Sequence, residues 1–79
     1  MWHIYVIKSK EGKIYIGMSQ DIQKRIQNHN SQKNYTTKRG SNWKLVYFEK
    51  CDSPNHARER EKYFKNTSGK EWLKRRNII

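Results

Sequence analysis

The chain has 79 residues, and 18 Lys plus Arg against 7 Asp plus Glu leave a formal charge of +11, which describes one small domain without room for a second core. Leu, Ile, Val and Phe number only 14, a fraction that at this charge falls among disordered chains, but five Tyr and three Trp lie outside that tally and the apolar residues are periodic. The longest apolar run, Ile4 to Ile7, excludes a membrane-spanning helix; the opening Met1-Trp2-His3-Ile4-Tyr5 is no secretory leader; and the single Cys51 excludes a disulfide framework or a multi-cysteine zinc site.

Trp2 to Ile7 alternates, with Trp2, Ile4 and Val6 on one side and His3, Tyr5 and Ile7 on the other, which predicts a strand. Ser9-Lys10-Glu11-Gly12 is a turn signal. Lys13 to Met18 is then a second strand, with Ile14, Ile16 and Met18 on one face and Tyr15 and Gly17 on the other. A hairpin with an odd-length loop centred near Lys10 would set Tyr5 across from Tyr15.

Ser19 is the expected N-cap of a helix from Gln20 to about Asn30, with Asp21 in the favoured acidic first turn. Its stripe at helical spacing is Ile22, Arg25, Ile26 and His29, so two positions that should be apolar are polar. Residues 31–42 are polar and read as a surface loop long enough to be functional. It carries Lys33, Tyr35, Lys38, Arg39 and Gly40. Trp43 to Phe48 is a third strand.

Ser53-Pro54 opens a second helix, Ser as cap and Pro at the first helical position, running to Asn66. Its core stripe is Ala57, Arg60, Glu61 and Phe64, again with charge where the period asks for an apolar residue. Ser68-Gly69 is expected to break the helix before a short basic one over Lys70 to Asn77, with Trp72 and Leu73 packing inward. The order β-β-α-β-α-α predicts an α+β fold, a small three-stranded antiparallel sheet flanked by helices.

The charge points to a polyanionic partner, because a chain that tolerates such self-repulsion usually uses it and Lys and Arg neutralise nucleic-acid phosphates. A membrane-surface helix would oppose its basic residues with a wide apolar face, and neither of the two longer predicted helices has one. The expected molecule is a reduced, soluble, cytoplasmic domain.

Local rules fail where function overrides them, and the failures here are Tyr5, Tyr15, Arg25, His29 and Glu61. Each has an ordinary explanation. Tyrosine pairs pack across strands, Arg25 can snorkel, His29 suits a helix C-terminus, and Glu61 can pair with Lys65 or Arg58. Their joint occurrence, aimed at one side of a sheet and helix, is less easily dismissed. His3-Ile4-Tyr5, Tyr15-Ile16-Gly17, Arg25, His29, and then Ala57, Glu61, Phe64 and Lys65 resemble the GIY-YIG nuclease family over nearly the whole chain. The similarity is to its short stand-alone members, related to the nuclease module of the UvrC DNA-repair subunit. His3 replaces the glycine of the first motif. Asn66 and Asn77 are candidates for the family's downstream asparagine, and neither is well spaced for it.

The resemblance implies a single GIY-YIG-like domain over residues 1–79, a metal-dependent endonuclease acting on DNA, branched or structured substrates included, through a one-metal mechanism. Phosphodiester hydrolysis needs a deprotonated water, charge neutralisation and help for the leaving oxygen. With few acids available, one Mg²⁺ or Mn²⁺ held by Glu61, waters and phosphate is the economical arrangement. Tyr15 is the expected general base. Arg25 offers its planar fork to the scissile phosphate, and Tyr5 and His29 hydrogen-bond within the site. Gly17 is expected to let a phosphate approach the backbone. Lys33, Lys38, Arg39 and Lys65, with Lys70, Lys74, Arg75 and Arg76 behind them, are candidates for tracking the nucleic-acid backbone. No small-molecule cofactor or membrane partner is expected. A non-catalytic nucleic-acid-binding module on the same fold is the alternative, and a zinc site from Cys51, His56 and His29 is a third, weaker one.

Overall fold

A computed structural model describes residues 1–31 and 42–79. Strands β1 (Trp2–Lys8) and β2 (Ile14–Ser19) are followed by helix α1 (Ile22–Asn30), strand β3 (Lys44–Cys51) and helices α2 (Pro54–Lys65) and α3 (Thr67–Arg75). The strands form an antiparallel sheet in the order β2-β1-β3, so the α+β class and the element order are those expected. No helix among the described residues is long and apolar enough to cross a membrane.

The most apolar strand takes the centre of the sheet, where both of its faces are covered: Ile4, Tyr5, Val6 and Ile7 are each 0% exposed. Alternation then sorts the side chains into two cores. Ile4, Val6, Ile16 and Cys51 pack with Ala57, Phe64 and Leu73 of α2 and α3. Tyr5, Ile7 and Trp43 pack on the other face with Tyr15, Leu45 and the α1 residues Ile22 and Ile26. Burying side chains of this size contributes about 1.5–3 kcal/mol each, so the sheet is held from both sides.

The hairpin register differs from the expected one. Its five-residue loop is odd-length but centred on Glu11, and Tyr5 faces Gly17 while Tyr15 faces Ile7. Gly12, at a φ of 86°, takes the left-handed conformation that the turn needs, and the Ser9 hydroxyl accepts from the Lys13 amide at 3.0 Å. The shift moves each partner by two residues, so no side chain changes face.

Helix α1 starts two residues later than expected. The Ser19 hydroxyl is engaged by the Asp21 amide and carbonyl, so it is the Asp21 carboxylate that caps the helix, accepting from the Lys24 amide at 3.1 Å. Strand β3 runs past Phe48 to Cys51 because its ladder with β1 continues to Trp2. Helix α2 has the expected Ser53 cap and Pro54 start.

The break after α2 falls at Asn66, in extended conformation between the two helices, and not at Ser68-Gly69. Gly69 is buried inside α3, where a Cβ would collide with the Tyr63 carbonyl oxygen and the Phe64 Cα. It is a close-approach residue, not a breaker. Leu73 and Trp72 do pack inward. The helix ends at Arg75, short of the expected Asn77, through a Schellman closure with Ile78 amide to Leu73 carbonyl and Asn77 amide to Lys74 carbonyl, both 3.0 Å.

Candidate active site

Tyr5 reaches the site from the central strand and is fully buried, its hydroxyl 2.9 Å from His29 Nε2 on α1. Directly opposite stands Gly17. A Cβ there would lie 2.7 Å from the Tyr5 hydroxyl oxygen and 3.1 Å from a Tyr15 ring carbon. The Tyr5 hydroxyl occupies the space that a side chain at residue 17 would need, so the glycine makes room for the tyrosine. Tyr15, two residues before Gly17 on β2, is diagonal to Tyr5 at 6.3 Å between ring centroids, and its ring is tilted against that of His29 at 4.7 Å.

Arg25 and His29 come one helical turn apart from α1, whose Ile22 and Ile26 bury against the same face. The Arg25 guanidinium lies against the hydroxyls of both tyrosines, which hold its pKa above the ordinary value, and its Nε is buried without a hydrogen-bond partner. Burial pushes the Tyr5 phenol up, an effect that Arg25 partly offsets and that the charges of Tyr15 and Glu61 reinforce. Burial, then the nearby Arg25, lowers the His29 pKa, so the ring is neutral at pH 7.

Glu61 belongs to the opposite layer. It lies on the α2 stripe with Ala57 and Phe64, which pack under the other face of the sheet. Its side chain is 20% exposed and its Oε2 pairs with Lys65 Nζ at 3.2 Å. Yet its charge is felt at Tyr5. Lys65, a candidate backbone contact, is turned to this carboxylate.

Lys33, Lys38 and Arg39 lie outside the described residues. Asn66 and Asn77 serve as helix-boundary residues, the latter at a φ of 57°, and neither joins the tyrosine cluster. The three-ligand zinc alternative does not assemble: His29 sits on the α1 face and Cys51 in the core under α2 and α3, while His56 Nδ1 accepts from the Asp52 amide at 3.3 Å. Among the described residues no three His, Cys, Asp or Glu gather as metal ligands.

Sequence reasoning missed a second polar cluster. Arg60 donates to both Glu49 oxygens at 2.8 and 2.9 Å, and the Tyr47 hydroxyl donates to one of them at 2.5 Å. Arg60 also lies 4.9 Å from the ring centroids of both Tyr63 and Phe64. Its place on the α2 core stripe was the available signal, but the partner on β3 could not be read from α2 alone.

The chain matches the family model described as the GIY-YIG catalytic domain over residues 1–77. It belongs to the GIY-YIG family. Members are endonucleases, generally dependent on a divalent metal. The chain is 40% identical over 73 residues to a UPF0213 protein of Staphylococcus saprophyticus, covering 91% of this chain and 89% of that one. A UPF0213 protein of Clostridium perfringens is 36% identical over 75 residues, covering 92% and 80%. The solution NMR structure of a UPF0213 protein from Bacillus halodurans is similar as well, with a TM-score of 0.55 at 32% identity over 92% of this chain and 82% of that one.

Proposed function

We propose that the protein is a DNA endonuclease that uses one divalent cation at Glu61 and Tyr15 as general base. The observation that carries this reading is the guanidinium of Arg25, set against both tyrosine hydroxyls with a buried Nε unsatisfied. A buried donor left without a partner costs about 1–3 kcal/mol, and an incoming phosphate oxygen would repay it in part.

Burial separates the roles of the two phenols. Tyr5 is sealed in, bonded to His29 and pushed toward its neutral form, which suits a positioning role. Tyr15 is only half buried and stands where a water could reach it. Tyr15 enters the step as phenolate, its own proton having gone to solvent; hydrolysis then places the water oxygen on phosphorus, the water's proton passes to that phenolate oxygen, and the ester bond to the sugar oxygen breaks. The leaving alkoxide takes a proton from solvent. Arg25 faces the charge that develops on the phosphate.

Glu61 supplies one partly exposed carboxylate, a hard oxygen donor with open solvent beside it, which fits Mg²⁺ or Mn²⁺ held otherwise by waters and substrate. Such a cation would supply charge neutralisation at the phosphate. Lys65, which now pairs with the carboxylate, would turn to the nucleic acid when a cation takes its place.

Supercoiled plasmid nicking with Mg²⁺ and with EDTA tests the assignment. Tyr15→Phe, Arg25→Ala and Glu61→Ala should each lower cutting by at least a hundredfold, on the order of what removing a catalytic base or charge stabiliser costs, with bulk DNA affinity largely kept. Wild-type cutting by Glu61→Ala in the same buffer would refute the metal ligand, and DNA binding without any cutting would favour the non-catalytic module.

A further inference from the structure

Phe48 is 54% exposed in the middle of a strand, an unusual place for a bare aromatic ring. It pairs directly across from Tyr5, and Lys50 pairs across from His3, so both side chains lie on the face that carries the candidate site. Helix α1 covers the Ile7, Leu45 and Trp43 end of that face and leaves Phe48 and Lys50 uncovered. His3 meets the Phe48 ring edge-on at 6.1 Å and 63°. The intervening acid, Glu49, points to the other face, where Arg60 holds it. The open shelf is therefore aromatic and cationic, with no carboxylate of its own strand on it.

We infer that this shelf stacks an unpaired nucleobase of the strand whose phosphate lies at Arg25, with Lys50 on the neighbouring phosphate. Adjacent antiparallel strands stand about 4.8 Å apart, so Phe48 is the next side chain over from Tyr5. A base in a duplex has both faces stacked already, and only an unpaired one presents a face to an aromatic ring. The positive shelf complements the backbone of the same strand. The inference rests on the nuclease reading of the site and adds a preference for substrates with a single-stranded segment beside the cut.

Fluorescence anisotropy in EDTA, where cutting cannot interfere, tests it with three probes: a short oligothymidylate, the same strand fully paired, and an abasic strand of the same length. Phe48→Ala should weaken oligothymidylate binding on the order of tenfold, the size of a lost base–aromatic stack, with Phe48→Trp retaining it. Duplex and abasic affinities should not move. Equal weakening of all three probes, no weakening of the first, or a change in self-association instead would overturn the inference. Plasmid cutting separates this outcome from the parent reading. Base-dependent binding through Phe48 by a protein that never cuts supports the shelf and sinks the nuclease, whereas cutting with no effect of Phe48→Ala on any probe does the reverse.

Discussion

Tyr5 and Gly17 are matched across the hairpin, and the match explains why the second motif ends in glycine. At 2.7 Å, a Cβ on residue 17 would overlap the Tyr5 hydroxyl, and Tyr5, 0% exposed, has nowhere to retreat. Gly17→Ala should therefore destabilise the fold by about 1–3 kcal/mol, as overpacking does, although alanine is otherwise the better strand residue. Tyr5→Phe should rescue only part of this in a double-mutant cycle by urea denaturation, because the ring carbon bearing the hydroxyl also lies 2.8 Å from that Cβ. His29 gives a pH dependence of definite sign. Its folded pKa is below the ordinary value, so the unfolded chain binds more protons once pH drops through about 6.5. Stability held above that pH should fall as the solution is acidified, and His29→Gln should flatten the fall between pH 7 and 5. The sequence singled out Tyr5, Tyr15 and His29 because each broke a periodic pattern. It could not rank them, since it does not show that Tyr5 is fully buried and Tyr15 only half buried, and the expected register, two residues off, set those rings across from each other.

At the level of elements, what a sequence shows is propensity, and what it hides is approach distance. Ser53-Pro54 was legible because cap and proline act locally. Gly69 was misread because glycine marks both helix ends and close contacts, and only the seating of α3 on the Tyr63–Phe64 end of α2 distinguishes them. In an open helix Gly→Ala would stabilise by about 1 kcal/mol. Here Gly69→Ala should destabilise by about 1–3 kcal/mol or more, because the obstructing atoms are backbone and cannot rotate away. The change would appear as a lower urea midpoint with an unaltered slope. Cohesion between β3 and α2 has a similar hidden origin. The fork of Arg60 grips Glu49 while its flat face meets Tyr63 and Phe64. That geometry suits arginine over lysine, and burial with the Glu49 bond pushes the Tyr47 phenol up to about 12.

For the whole molecule, the same +11 charge acts on folding and on binding with opposite dependence on salt. Compaction crowds like charges, and added salt screens them, so thermal stability should rise as ionic strength goes from about 10 mM to 150 mM. Nucleic-acid affinity should fall over the same range, with log K linear in log salt and a slope of about 0.9 per phosphate neutralised. Measuring both on one sample separates a global effect of charge from a local one. If stability and affinity both fell with salt, specific ion pairs such as Glu49–Arg60 and Glu61–Lys65 would outweigh the net repulsion. Cutting should follow affinity at low substrate and become independent of salt at saturation, because Arg25 and the cluster around Tyr5 are partly or fully buried and screened less than surface charges. A turnover rate at saturating DNA that still dropped with salt would place the decisive positive charge on the exposed lysines and not at Arg25.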